Sequence, residues 1–146
     1  MLRVVLCFVE RYVGHRDLHS FPHDALPICN LSHVTSFIST LQKLGCQFSL
    51  DDFGSGLSSF TYLKNLNVDY LKIDGSFVKD MINDPIDRAM VEAINQIGHI
   101  MKIKTIAEFV EDKETCEMVT DMGIDYAQGY YFSKPFEFSK LKSITG

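Results

Sequence analysis

Ser49-Leu50-Asp51-Asp52-Phe53-Gly54-Ser55-Gly56 is an apolar run that ends in two adjacent carboxylates and passes at once into a glycine-hinged loop. A strand closing on two acids concentrates negative charge where the loop leaves it. Oxygen ligands so placed suit a divalent cation. The other reading of such a pair is a cap for the next helix. Three later strand-like runs also end in functional groups: Lys72 and Asp74, then Glu108 and Glu111, then Gln128. Four strand ends bearing chemistry read together as a catalytic rim.

Outward from this rim the chain alternates two periods. Val34, Phe37, Ile38, Leu41 and Leu44 recur at helical spacing, and Gly45 stops that helix. Cys46 to Asp51 reads as a buried strand, and Ser58 or Ser59 can cap a short helix carrying Phe60, Leu63 and Leu66. Val68 to Asp74 is a second strand. Asp84 followed by Pro85 starts a long helix, with Ile86, Met90, Ile94, Ile97 and Met101 expected on its inner face. Ile103 to Glu108 is a third strand, Asp112 to Gly123 another helix, and Tyr126 to Phe132 a fourth strand. Four successive βα-type units predict an α/β fold with parallel strands. Their functional groups all fall at C-terminal strand ends, where (β/α)8 barrels build their sites. Four units make half of such a barrel.

The chain has 146 residues, one domain's worth, with 46% hydrophobic and 23% charged residues. A net charge of −5 and no Lys/Arg cluster argue against wrapping a nucleic-acid polymer. Cys7, Cys29, Cys46 and Cys116 are scattered without zinc spacing and read as reduced thiols of a cytoplasmic chain. The apolar start is cut off by Glu10 and Arg11, too soon to span a membrane, although a longer parent could be membrane-anchored elsewhere. The five histidines show no ligand spacing, and His99 reads as a surface or packing residue of the long helix.

Residues 1–28 break the pattern, with two prolines, three histidines and no sustained period. Asp17 to Ile28 back-translates closely, with one frame slip, to a synthetic adapter of DNA sequencing libraries. We read 1–28 as non-native sequence joined to a genuine domain at 29–146. A divergent N-terminal extension is the alternative.

The motifs Asp51-Asp52-Phe53-Gly54-Ser55-Gly56-Leu57-Ser58-Ser59, Leu71-Lys72-Ile73-Asp74, Thr105-Ile106-Ala107-Glu108-Phe109-Val110-Glu111 and Gln128-Gly129-Tyr130 occur in this order. Together they resemble the C-terminal half of the EAL domain, the cyclic di-GMP phosphodiesterase of bacterial signalling. The resemblance covers about residues 30–138. It implies the C-terminal half of a TIM-like (β/α)8 barrel, and hydrolysis of cyclic di-GMP to linear pGpG with two Mg2+ or Mn2+ ions. Asp51 then matches an acid bridging both cations, and Asp52 a ligand of the second. Lys72 matches a lysine near the attacking water and phosphate, and Glu108 a ligand of the second metal that also serves as base. Gln128 matches a polar group near the substrate. Gly54, Ser55 and Gly56 match a loop that couples metal binding to dimerisation. Glu111 matches a brace for that loop, and Asp74 reads as a structural acid. Phe109 stands where many members have glycine.

The resemblance also implies a glutamate, an asparagine and a second glutamate upstream of Asn30, and none has a match here. The polypeptide as written is therefore expected to lack phosphodiesterase activity. A homodimer is the expected partner state, and diguanylate cyclase or sensor domains are common in intact parents. The competing readings are a non-catalytic cyclic di-GMP receptor and a product without function.

Overall fold

A computed structural model of the chain describes residues 3–7, 31–54 and 60–135. Most of the segment 1–28, and also Ser55 and Gly56, lie outside the described residues. The chain runs through β1 (Arg3–Cys7), α1 (Leu31–Gln42), β2 (Gln47–Phe53), α2 (Phe60–Asn65), β3 (Tyr70–Ile73), α3 (Gly75–Asp80), α4 (Pro85–Ile100), β4 (Lys104–Ala107), α5 (Lys113–Asp121) and β5 (Tyr126–Ala127). One sheet has the order β1-β2-β3-β4-β5. Its last four strands are parallel, and β1 joins β2 as an antiparallel edge. The fold is α/β, an arc of barrel with helical crossovers.

Alternation gives the two faces of this arc different jobs. Phe48, Leu50, Leu71, Ile73 and Ala107 face the helices and are fully buried. Ile38, Leu63, Val78, Val91, Ile94, Val110 and Val119 meet them from the other elements. Burial of each such side chain stabilises by about 1.5–3 kcal/mol. Ser49, Asp51, Tyr70, Lys72, Ile106 and Glu108 alternate with these positions and face the concave side. The apolar core thus lies between sheet and helices, and the concave face is polar.

The helix ends follow from local chemistry. The Asp84 side chain accepts a hydrogen bond from the Ile86 N–H at 2.7 Å, with Pro85 opening α4. Asp112 does the same for α5 through the Thr115 N–H at 2.8 Å. Three helices end in one closure, in which two successive N–H groups return to carbonyls of the last turn. Gly45 and Cys46 close α1, Gly123 and Ile124 close α5, and Lys102 and Ile103 close α4. All three turns need a left-handed residue: Gly45 at φ 89°, Gly123 at 68° and Lys102 at 61°. Glycine marks the first two in the sequence, while lysine hides the third.

Several expectations are corrected. The fourth strand is two residues long, because Gly129 crosses the Val110 backbone and turns the chain. A Cβ at Gly129 would collide with the Val110 main chain. The Val110 N–H donates to the Gln128 carbonyl, and its own carbonyl accepts from the Tyr131 N–H, so the loops after β4 and β5 are laced together. Helix α3 was not anticipated, since Asp74 at a strand end also caps it. On α4 the buried face is Val91, Ile94, Asn95 and Gly98, with Ile97 and Met101 packed at its border. Ile86 is 71% exposed, and Met90 is also exposed. On α1, Leu44 falls past the helix end and is exposed. No helix among the described residues is long and apolar enough to cross a membrane. Cys46 and Cys116 are free thiols.

Candidate metal centre

The acid pair depends on a fault in β2. Leu50 pairs with Leu71, but Phe53 pairs with Ile73, so three steps of β2 oppose two of β3. The extra residue is a bulge, and Asp52 takes it up in a left-handed backbone at φ 52°. That conformation costs a non-glycine residue about 1–2 kcal/mol. In an unbroken strand Asp51 and Asp52 would point to opposite faces. Here one oxygen from each of them, and one from Glu108, lie within 4.8 Å of one another. Asp51 and Glu108 are each 8% exposed, and Asp52 is half-buried.

Lys72 reaches this cluster from β3, the strand between. Its Nζ donates to Asp51 Oδ1 at 2.6 Å and pairs with Glu108 Oε1. Parallel pairing of Lys72 with Ile106 places Glu108 one further concave-face position along β4, which is why the two side chains meet. Burial pushes the Lys72 ammonium down, but its bonds to Asp51 and Glu108 outweigh this and hold it protonated above its ordinary value. Burial acts the other way on Glu108. It lifts that carboxyl above the usual range despite the opposing Lys72 contact, and the Asp51 and Asp52 charges add to the rise.

The donor set is three carboxylates, hard oxygen ligands whose spacing accommodates a small divalent cation such as Mg2+ or Mn2+. The Lys72 ammonium already occupies the cationic corner between two of them. The other residues singled out in the sequence lie around this cluster rather than in it. Asp74 turns its carboxylate to the Ser76 N–H at 2.8 Å and the Ser76 hydroxyl at 2.7 Å, capping α3. Gly54 leaves β2 at φ 110°. Glu111 is exposed, and the loop it was expected to brace lies outside the described residues. Gln128 is exposed in the turn after β5, with its N–H on the Ala107 carbonyl at 2.8 Å.

Phe109 follows Glu108 with φ 54°, the second left-handed side chain of the rim. Its ring lies on Gly75, where any Cβ would overlap it.

A second polar cluster, at the opposite end of the strands, was invisible in the sequence. Asp125 accepts from Lys104 Nζ at 2.5 Å and from the Thr105 N–H at 3.0 Å, and it meets His99 Nε2 at 2.9 Å. Thr105 Oγ1 donates to Asn95 Oδ1 at 2.6 Å, and Asn95 Nδ2 donates to the Met122 carbonyl at 2.8 Å. These groups come from α4, β4 and the turn after α5, with no shared spacing to announce them. His99 is thus a surface residue whose ring nitrogen also meets Asp125.

An arc of parallel strands with three acids and a lysine converging at the C-terminal strand ends defines the rim of a (β/α)-barrel with a cation-ready site. The chain matches the EAL domain family over residues 25–135, and it belongs to that family. It is 42% identical over 108 residues to the cyclic di-GMP phosphodiesterase PdeF of Escherichia coli strain K12, covering 74% of this chain and 14% of PdeF. It is 50% identical over 108 residues to the cyclic di-GMP phosphodiesterase PdeB of Shewanella oneidensis, covering 74% of this chain and 13% of PdeB. The chain therefore spans about one seventh of these relatives. The crystal structure of the EAL domain of Mycobacterium smegmatis DcpA superposes with a TM-score of 0.77 at 30% identity, over 83% of this chain and 54% of that one.

Proposed function

We propose that residues 29–146 are the C-terminal half of a cyclic di-GMP phosphodiesterase domain that uses two divalent cations to form linear pGpG. The observation that carries this reading is the convergence of Asp51, Asp52 and Glu108 around Lys72 at one sheet end, in a family whose relatives bear that activity in their names. Asp51, Asp52 and Glu108 would hold Mg2+ or Mn2+. Such a cation supplies Lewis-acid polarisation of a phosphoryl oxygen and acidifies a water. Lys72 keeps its proton and presents positive charge to phosphoryl oxygens as they gain charge. Burial raises the Glu108 carboxyl above its ordinary value, and Glu108 would serve as the proton acceptor. Gln128, exposed at the rim, would meet the substrate directly.

A receptor that only binds the nucleotide has little need for a buried lysine bonded to two metal-facing acids, so the enzymatic origin is preferred. The upstream glutamate, asparagine and second glutamate that the resemblance implies as further ligands have no match in this sequence. This polypeptide alone is therefore expected to bind cyclic di-GMP weakly without hydrolysing it. The test is incubation of purified protein with cyclic di-GMP and Mn2+, with pGpG followed by chromatography and binding by calorimetry. Turnover comparable with an intact EAL domain would refute the inactivity. Absence of any metal-dependent nucleotide binding would refute the reading itself.

A further inference from the structure

Phe109 is a large apolar side chain that covers the buried Gly75 yet leaves much of itself exposed at the rim. Its residue surface is 58% exposed, so the ring is not core. Its left-handed backbone at φ 54° would be relieved by glycine. It stands in the loop that follows β4, past the end of the strand. The ring is nevertheless held in place. It lies against the Cα of Gly75, where a side chain would overlap Cγ, Cδ2 and Cε2 of the ring. Phe109 and Gly75 are thus a matched pair: the strained backbone projects the ring, and the missing Cβ receives it. The seat is the turn that links β3, bearing Lys72, to α3. The ring's own loop, just after β4, bears Glu108, the adjacent residue. An aromatic surface is therefore fixed at the rim, between the loop after Glu108 and the turn that follows the Lys72 strand. Backbone strain of this kind gathers where a ligand must be met.

We propose that Phe109 is a base-stacking residue, whose seated ring receives a purine of the cyclic dinucleotide while the phosphodiester lies over Lys72 and Glu108. This rests on the phosphodiesterase reading above. Stacking on a preset ring is sequence-tolerant but stronger for purines than for pyrimidines, because the larger base covers more of the ring. Phe109 then confers purine preference on the site, separately from the groups that hold phosphate.

The test is calorimetric titration of the 146-residue chain in Mn2+ with cyclic di-GMP and with cyclic di-UMP. The wild type is compared with Phe109→Leu, Phe109→Tyr and Asp51→Asn, each checked for unchanged circular dichroism and melting temperature. Leucine keeps apolar bulk on the Gly75 seat but removes the aromatic face. Phe109→Leu is expected to weaken cyclic di-GMP about five- to tenfold, and cyclic di-UMP about twofold or less. Phe109→Tyr should stay within about twofold of wild type for both. Asp51→Asn should weaken both nucleotides alike and leave their ratio unchanged. Equal loss of both nucleotides in Phe109→Leu, or no loss, overturns the stacking role while leaving the phosphodiesterase reading intact. Failure of the wild type to bind either nucleotide overturns both.

Discussion

The two ends of the same strands use the same ingredients to opposite effect. At the C-terminal rim a lysine faces two carboxylates, Asp51 and Glu108. At the N-terminal end a lysine and a histidine face one carboxylate, Asp125. At Asp125 burial pushes the carboxyl up, but Lys104, the Thr105 N–H and His99 overcome it and hold it well below its ordinary value. At Glu108 burial prevails and the carboxyl rises. The backbone differs in the same sense. Among the described non-glycine residues, Asp52 and Phe109 at the rim are left-handed, and Lys102 at the other end is left-handed where it closes α4. One end has more donors than acids and is relaxed. The other has more acids than donors and is strained. Crowded carboxylates and strain lower stability, and they persist where a ligand is to be met. The bottom of a barrel carries stability and its rim carries chemistry.

The contrast can be broken most directly at Lys72. Lys72→Met removes the cation between two buried acids and should destabilise the metal-free protein by about 3 kcal/mol. Urea unfolding with and without Mn2+ checks this, and Mn2+ should recover part of the loss if the acids accept a cation there. Asp51→Asn should reduce Mn2+ affinity about 100-fold, at the upper end of what even outer-shell partners contribute. Competition against a fluorescent chelator measures it, and unchanged affinity would separate the acid cluster from metal binding.

Asp125→Asn should lower stability by about 2 kcal/mol at pH 7 without changing Mn2+ affinity. The sign of its pH dependence follows from a depressed carboxyl. The contribution is complete above the unfolded value near pH 4 and is lost as pH falls below it. Urea titrations at pH 7 and pH 3 should therefore show the gap between wild type and variant shrinking in acid. A gap that grows instead would contradict the network. The smallest effect should come from Ile86→Ser on the exposed face of α4, within about 0.5 kcal/mol by thermal melting. A large loss there would mean that this face is covered.

Much of this was legible locally. Gly45 and Gly123 announced helix ends because left-handed turns favour glycine, and Asp84-Pro85 and Asp112 announced helix starts. Lys102 could not be read so, since its left-handed turn is imposed by how α4 runs into Ile103 and β4. The fourth strand was overestimated because Tyr126 to Phe132 has strand composition throughout. Only the crossing of Gly129 over Val110 shows where it turns. Which side of α4 is buried is likewise decided by its neighbours. Helical period selects a stripe, but the strands beneath select which stripe is buried, and β3 and β4 receive Val91, Ile94 and Gly98 rather than Ile86 and Met90.

The sequence by itself determined which chemistries stand at which strand ends: two acids after β2, a lysine in β3, a glutamate after β4. It could not determine that Asp51 and Asp52 face the same point, because strand alternation places neighbours on opposite faces. That convergence needs the bulge between β2 and β3. A bulge is a property of two paired strands, and no residue on one of them fixes the register of the other.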